Sequence, residues 1–250
     1  MAPTVFAIPG LGFTGEVFDR LDLAPSSIER VPWIETAAFD EPLHVYAARL
    51  AALLRAGDLG VRIRSGDRPV LLGHSFGGML AQDLAGYVDA ARIVLISSVV
   101  SPQENPWRFR VVASAGLHRL ASAELFARTV RLWGARFGFR EPEDLTLFRR
   151  MVRSQSDATL RWSIRELSRW RGPQRRAVDA LTLRVHGTRD RTFPRWDRSS
   201  EGHGCLRLLE GADHMMLWNR SQEVSEVIRG WLGESAPMPE RGDSCASRTR

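Results

Sequence analysis

The six residues Gly73-His74-Ser75-Phe76-Gly77-Gly78 fit the pattern G-x-S-x-G and lie between a β-branched apolar run and a helical one. A serine there sits on a tight, strained strand-to-helix turn. Its small neighbours let strand and helix approach closely, and its hydroxyl stands exposed above the sheet. The chemistry offered is nucleophilic attack on a carbonyl. A serine hydroxyl is nearly unreactive at neutral pH, so it needs a base with a pKa near 7, which is histidine. A carboxylate on the other ring nitrogen must then fix the tautomer and stabilise the imidazolium. Of the six histidines, His74 abuts Ser75 along the chain, where neighbouring side chains diverge, and reads as a packing or hydrogen-bonding residue of the turn. His186 ends an apolar run, His44, His118 and His203 have no motif around them, and His214 follows a late apolar run. The other reading of the motif is a phosphate-binding turn, but such a loop has more glycines before its helix and usually a lysine. All 35 residues counted as Lys plus Arg are arginine.

That missing lysine also excludes Schiff-base chemistry, a Walker A lysine and a Ser-x-x-Lys pair. A length of 250 residues suits one large α/β domain, and 44% hydrophobic with 26% charged residues is the composition of an ordinary globule. Cys205 and Cys245 are too few for a disulfide framework or a zinc site and read as reduced thiols. The N-terminal run has no basic lead-in and no run approaches 18 apolar residues, so a soluble, cytoplasmic chain is expected. Short apolar runs at Thr4–Ile8, Ile28–Ile34, Pro69–Gly73, Arg92–Ser97, Leu181–His186 and Cys205–Leu209 read as strands. Helical stretches separate them, which is the alternation of a mostly parallel sheet with helices on both faces. Asn219, with Gln222 three residues on, is expected to cap the last helix. Residues 101–180 carry helical signals only: Leu120–Phe137, Pro142–Val152 and Asp157–Trp170.

From Thr4 to Trp231 the sequence resembles the α/β-hydrolase superfamily, in particular small bacterial-type carboxylesterase-like serine hydrolases with a helical lid. That resemblance implies a triad in chain order serine, acid, histidine. Asp190, on the loop after Leu181–His186, is then the acid, and His214, after Cys205–Leu209, is the base. Asp213 is badly placed beside His214, and Glu104 is the reserve acid. The resemblance places the oxyanion hole at the backbone amides of Phe76 and of Leu11, with Gly12 as the alternative to Leu11. Pro9 stands where many members have histidine, which changes how that loop is braced. The chain begins with the strand before this loop, so a sheet of about six strands, without the family's first two, is expected. The expected organisation is a hydrolase core at 1–100 and 181–234, a helical lid at 101–180 and a disordered tail at 235–250.

The 101–180 stretch contains Trp107, Trp133, Trp162 and Trp170, of which the first three are candidates for contacting an apolar acyl group. It also holds sixteen arginines against eight carboxylates, whereas the rest of the chain has nineteen against twenty-one, so the +6 net charge is local to it. Arg161, Arg165 and Arg169 at four-residue spacing form one helix stripe, and with the tryptophans they are the candidate lid contacts. A solvated face is the ordinary reading of such a stripe. A resemblance to pimeloyl-carrier methyl ester esterases implies instead an acidic carrier protein docking there. The reading as a whole is an ester-cleaving serine hydrolase without cofactor or metal, acting on a small acyl ester, with neither nucleic acid nor a membrane as partner. Thioester cleavage, or ligand binding without catalysis on the same scaffold, are its alternatives.

Overall fold

The computed structural model describes residues 2–139, 141–174, 180–194 and 204–233. Expectations that fall on the 235–250 tail, Cys245 and His203 lie outside these residues. Six strands, β1 (Val5–Ile8), β2 (Ile28–Arg30), β3 (Val70–His74), β4 (Arg92–Ile96), β5 (Leu181–Gly187) and β6 (Cys205–Leu209), form one sheet in the order β2-β1-β3-β4-β5-β6. Every pairing is parallel. The run expected as a strand over Ile28–Ile34 pairs only over Ile28–Arg30, and Pro32, which has no N–H to give to a ladder, follows closely.

The β-branched runs are continuous because both faces of the sheet are covered. Phe6, Ile8, Leu71, Ile93 and Leu95 point to one side, where they pack with α1 (Leu43–Ala56) and α2 (Phe76–Val88). Val5, Ala7, Val70, Leu72, Val94, Ile96, Leu183 and Val185 point to the other, where Val224 and Ile228 of the last helix lie. That helix, α8 (Ser221–Gly233), follows a separate turn, α7 (Met216–Asn219). Asn219 therefore ends one helix and does not cap the next. Its amide donates to the Gly138 carbonyl at 2.8 Å.

Between β4 and β5 the chain forms α3 (Trp107–Ser114), a 3₁₀ turn at Leu117–Leu120, α4 (Ala123–Phe137), α5 (Pro142–Arg153) and α6 (Asp157–Arg169). The start of α4 is fixed by Ser122, whose hydroxyl accepts from the Leu125 amide, and that of α6 by Ser156, which accepts from Thr159. α3 has no counterpart among the helices read from the sequence. The insertion is not a separate body: Trp162, Leu167 and Trp170 belong to the first core, and Val130, Phe148, Met151 and Val152 to the second. Among the described residues no helix is long and apolar enough to cross a membrane.

Candidate active site

The register brings Gly73 beside Ile8 and His74 beside Ile96, so the loops after β1, β3 and β4 open at one end of the sheet. At that end of an open parallel sheet, ligands bind. Ser75 occupies the turn from β3 to α2 with φ of 54° and ψ of −122°, a left-handed backbone that L side chains rarely adopt. The turn is held by three hydrogen bonds. The Ser75 amide donates to the Ile96 carbonyl (3.0 Å), and its carbonyl accepts from the Gly78 amide (2.9 Å) and the Ser98 hydroxyl (2.7 Å). The Ser75 side chain does not cap α2. It lies instead 3.0 Å from His214 Nε2.

His214, on the loop between β6 and α7, is almost wholly buried, and its Nδ1 lies 2.9 Å from Asp190 Oδ2. The other Asp190 oxygen accepts from the amides of Thr192 (2.7 Å) and Phe193 (3.1 Å), which fixes the carboxylate plane. Burial alone would raise the Asp190 carboxyl. The neighbouring His214, by charge and by hydrogen bond, outweighs that together with His186 and the Phe193 amide, and holds it at about 2. Asp190 is therefore ionised throughout the neutral range, as an orienter of imidazole must be. His186 Nε2 donates to the Phe193 carbonyl (2.9 Å) and lies 3.6 Å from Asp190, bracing the loop that carries the acid.

His74 turns away from Ser75 and donates from Nε2 to the His214 carbonyl at 3.3 Å. Burial first, and then the nearness of His214, lower its pKa to about 3. This yields a prediction. A histidine near 6.5 in the unfolded chain and near 3 in the folded one leaves stability unchanged above pH 6.5. As pH falls through that interval the unfolded chain takes up a proton that the folded one excludes. The parent should therefore lose stability relative to His74→Gln between pH 6.5 and 3, by on the order of 4 kcal/mol. Urea midpoints across that range check it, and a constant difference between the two proteins would refute it.

The Gly10-Leu11-Gly12-Phe13 turn closes with the Phe13 amide on the Gly10 carbonyl (3.0 Å), and an alanine methyl at Gly10 would come within 3.1 Å of the Ser75 Cβ. Two residues unmarked in the sequence brace this turn. Trp33 Nε1 (3.0 Å) and Gln155 Nε2 (2.8 Å) both donate to the Phe13 carbonyl. Trp33 also stacks on Phe76 with ring centroids 5.9 Å apart. Phe76 is the first residue of α2, so its amide has no partner within the helix. A cleft of about 390 Å³ opens beside these braces, lined by Pro9, Thr14, Trp33 and Gln155 among others. No three His, Cys, Asp or Glu side chains among the described residues converge so as to hold a metal ion.

Residues 4–227 match the model of the alpha/beta hydrolase family. The chain belongs to that family. No curated protein matches it in sequence. Among solved structures, this α/β-hydrolase is similar to an esterase from Exiguobacterium antarcticum (14% identity, 93% of each chain, TM-score 0.67). It is also similar to a carboxylesterase of the thaumarchaeon Nitrososphaera gargenis (17% identity, 92% of this chain and 90% of that one, TM-score 0.65). A third is a bromoperoxidase from Bacillus anthracis (15% identity, 93% and 92%, TM-score 0.67). At such identities the likeness speaks for the fold alone, and these neighbours carry different activities on it.

The remaining positions named from the sequence separate clearly in this α/β-hydrolase. Glu104, the reserve acid, is occupied: both its oxygens accept from Arg184 (2.9 and 3.0 Å) and Oε2 also from the Val100 amide. The Asp213 carboxylate accepts from the Met215 amide. Trp162 is not a substrate contact, because it is fully buried, stacked on Tyr46, with its indole N–H on the Glu41 carbonyl (2.7 Å). Trp107 is 65% exposed, and the side chain of Trp133 lies outside the described residues. Arg161 donates to the Ala121 carbonyl and pairs with Asp157, Arg165 pairs with Glu166, and Arg169 is exposed. Phenylalanines near the Ser75, His214 and Asp190 cluster are Phe137 and Phe193, with ring centroids 5.5 and 5.8 Å from His214, and Phe109, 5.9 Å from Phe193.

Proposed function

We propose that this α/β-hydrolase is a serine hydrolase that cleaves a carboxylic ester through an acyl-enzyme. The observation that carries the reading is the continuous buried chain from Ser75 Oγ to His214 (3.0 Å) to Asp190 (2.9 Å), its two ends, Ser75 and Asp190, held by backbone hydrogen bonds. His214 Nε2 takes the Ser75 proton as the oxygen attacks the ester carbonyl, and Asp190 stabilises the imidazolium through Nδ1. The amides of Phe76 and Leu11 are assigned to the oxyanion, the turn that carries Leu11 being locked through the Phe13 carbonyl. The imidazolium then gives its proton to the departing alkoxide, leaving Ser75 acylated. Water, deprotonated by the same imidazole, attacks the acyl-enzyme and restores the serine. The 101–180 insertion acts as the lid, with Phe109, Phe137 and Phe193 supplying an apolar wall for the acyl group.

The carrier-protein reading is weakened by the insertion's own bonding, since two of its three stripe arginines already have partners within the chain. A panel of p-nitrophenyl esters graded in acyl length, followed in the stopped flow, tests the proposal. The expected record is turnover preceded by a burst of nitrophenolate near one equivalent of enzyme wherever deacylation is slow. No turnover and no burst on any member, from folded protein, would contradict it.

A further inference from the structure

Eight large apolar side chains are exposed among the described residues, and six of them fall in one stretch: Trp107, Val111, Leu117, Leu120, Leu125 and Leu132. A seventh, Phe39, stacks on His118 of the same stretch at 5.6 Å. Exposure reaches 65% for Trp107, 72% for Leu120 and 84% for Leu132. Single exposed apolar residues need no explanation, but a concentration of them marks an interaction surface. Spacing groups them: Trp107 and Val111 are one turn apart on α3, and Leu125 and Leu132 are two turns apart on α4. Both helices already have an inner face in use. Arg108 donates to the Arg191 and Thr192 carbonyls beside the triad acid, and Ala127 and Val130 are buried under α4.

The charge carried by this stretch itself is one-sided. From Asn105 to Arg140 the sequence has seven arginines and a single carboxylate, Glu124, which is taken up by Arg128 and Arg153. Arg110, Arg119 and Arg131 are exposed and alternate with the apolar residues along the chain, next to Val111, Leu120 and Leu132. We propose that this stretch docks on an anionic membrane surface through its exposed side chains, Trp107, Leu120 and Leu132 entering the headgroup boundary while Arg110, Arg119 and Arg131 meet lipid phosphates. A second copy of the chain is a poor occupant, because a two-fold interface would set the same arginines against themselves with one spent carboxylate a side. An acidic protein would satisfy the arginines and leave the leucines without an apolar counterpart. A lipid boundary takes both at once, with arginine stems lying along the apolar layer. Sequence reasoning excludes a membrane partner because the length of apolar runs reports only on spanning segments; docking of this kind needs none.

Flotation with vesicles tests it, using phosphatidylcholine mixed with phosphatidylglycerol against phosphatidylcholine alone. The parent should bind the mixed vesicles about tenfold or more better than the neutral ones, and less as salt rises. The double variant Leu120→Glu, Leu132→Glu, at two exposed positions, should keep the parent's circular dichroism and bind about tenfold more weakly. Arg110→Gln, Arg119→Gln, Arg131→Gln should lose the preference for phosphatidylglycerol. Absence of parent binding, or equal binding by parent and the glutamate variant, would overturn the proposal. So would a dimer in sedimentation velocity that the glutamate variant dissolves while vesicles are ignored, or capture by polyglutamate without capture by vesicles. Ser75→Ala should bind vesicles like the parent, so the result stands apart from whether esters are cleaved.

Discussion

Ser75→Ala should lower kcat/KM on a reactive ester by about 10⁵- to 10⁶-fold without loss of the fold. The hydroxyl contributes to the site alone, since its contact is His214 and it caps nothing in α2. Alanine also accepts the φ of 54° no worse than serine does. His214→Ala should fall to a similar level, and the double variant no lower, because a nucleophile without its base and a base without its nucleophile are equally idle. Asp190→Asn should cost about 10⁴-fold. The asparagine offers an amide where Nδ1 needs an acceptor, and it removes the charge that steadies the imidazolium. Additive losses across the three would show that they do not act as one unit.

The largest stability effect is expected from Gly77→Ala. A methyl there would stand 2.3 Å from the Ile8 carbonyl oxygen and 2.4 Å from that of Pro9, both backbone atoms of the central sheet and the loop beyond it. Neither can move without dragging β1 out of register, so the cost should be about 4 kcal/mol or more, a large share of the 5 to 15 typical of a domain. Gly73→Ala meets the Gly78 Cα at 2.4 Å and should behave alike. Gly230→Ala, in α8 with nothing within 4 Å of the new methyl, should instead leave stability unchanged or raise it by about 0.5 to 1 kcal/mol. Chemical denaturation of the three variants decides the matter. Gly77→Ala as stable as the parent would mean that the close approach of α2 to β1 does not hold Ser75 in place.

The G-x-S-x-G turn is legible in the sequence because the same closeness that strains Ser75 forbids side chains at positions 73, 77 and 78. The sheet is legible too, since burial on both faces demands unbroken apolar runs, as in Val70–Leu72 and Ile93–Ile96. Asp190 and His214 are named through the chain order that the family resemblance implies, and His214 lies within hydrogen-bonding distance of both Asp190 and Ser75. The insertion is less readable. Helical spacing tells that α6 has a buried stripe but not against what, so Trp162 passes for a lid contact when it seals the core beside Tyr46. Trp33 and Gln155 converge on one carbonyl from positions more than a hundred residues apart, and nothing local in the chain marks either. The exposed apolar side chains of α3 and α4 escape for the same reason, because composition counts apolar residues without saying which way they point.

The central claim is that Ser75 is a nucleophile activated by His214. Incubation with a fluorophosphonate, followed by intact mass and peptide mapping, tests it directly. One adduct per chain is expected, on Ser75, absent from Ser75→Ala and slowed by orders of magnitude in His214→Ala. A folded parent that takes up no label, or takes it up on another residue, would contradict it.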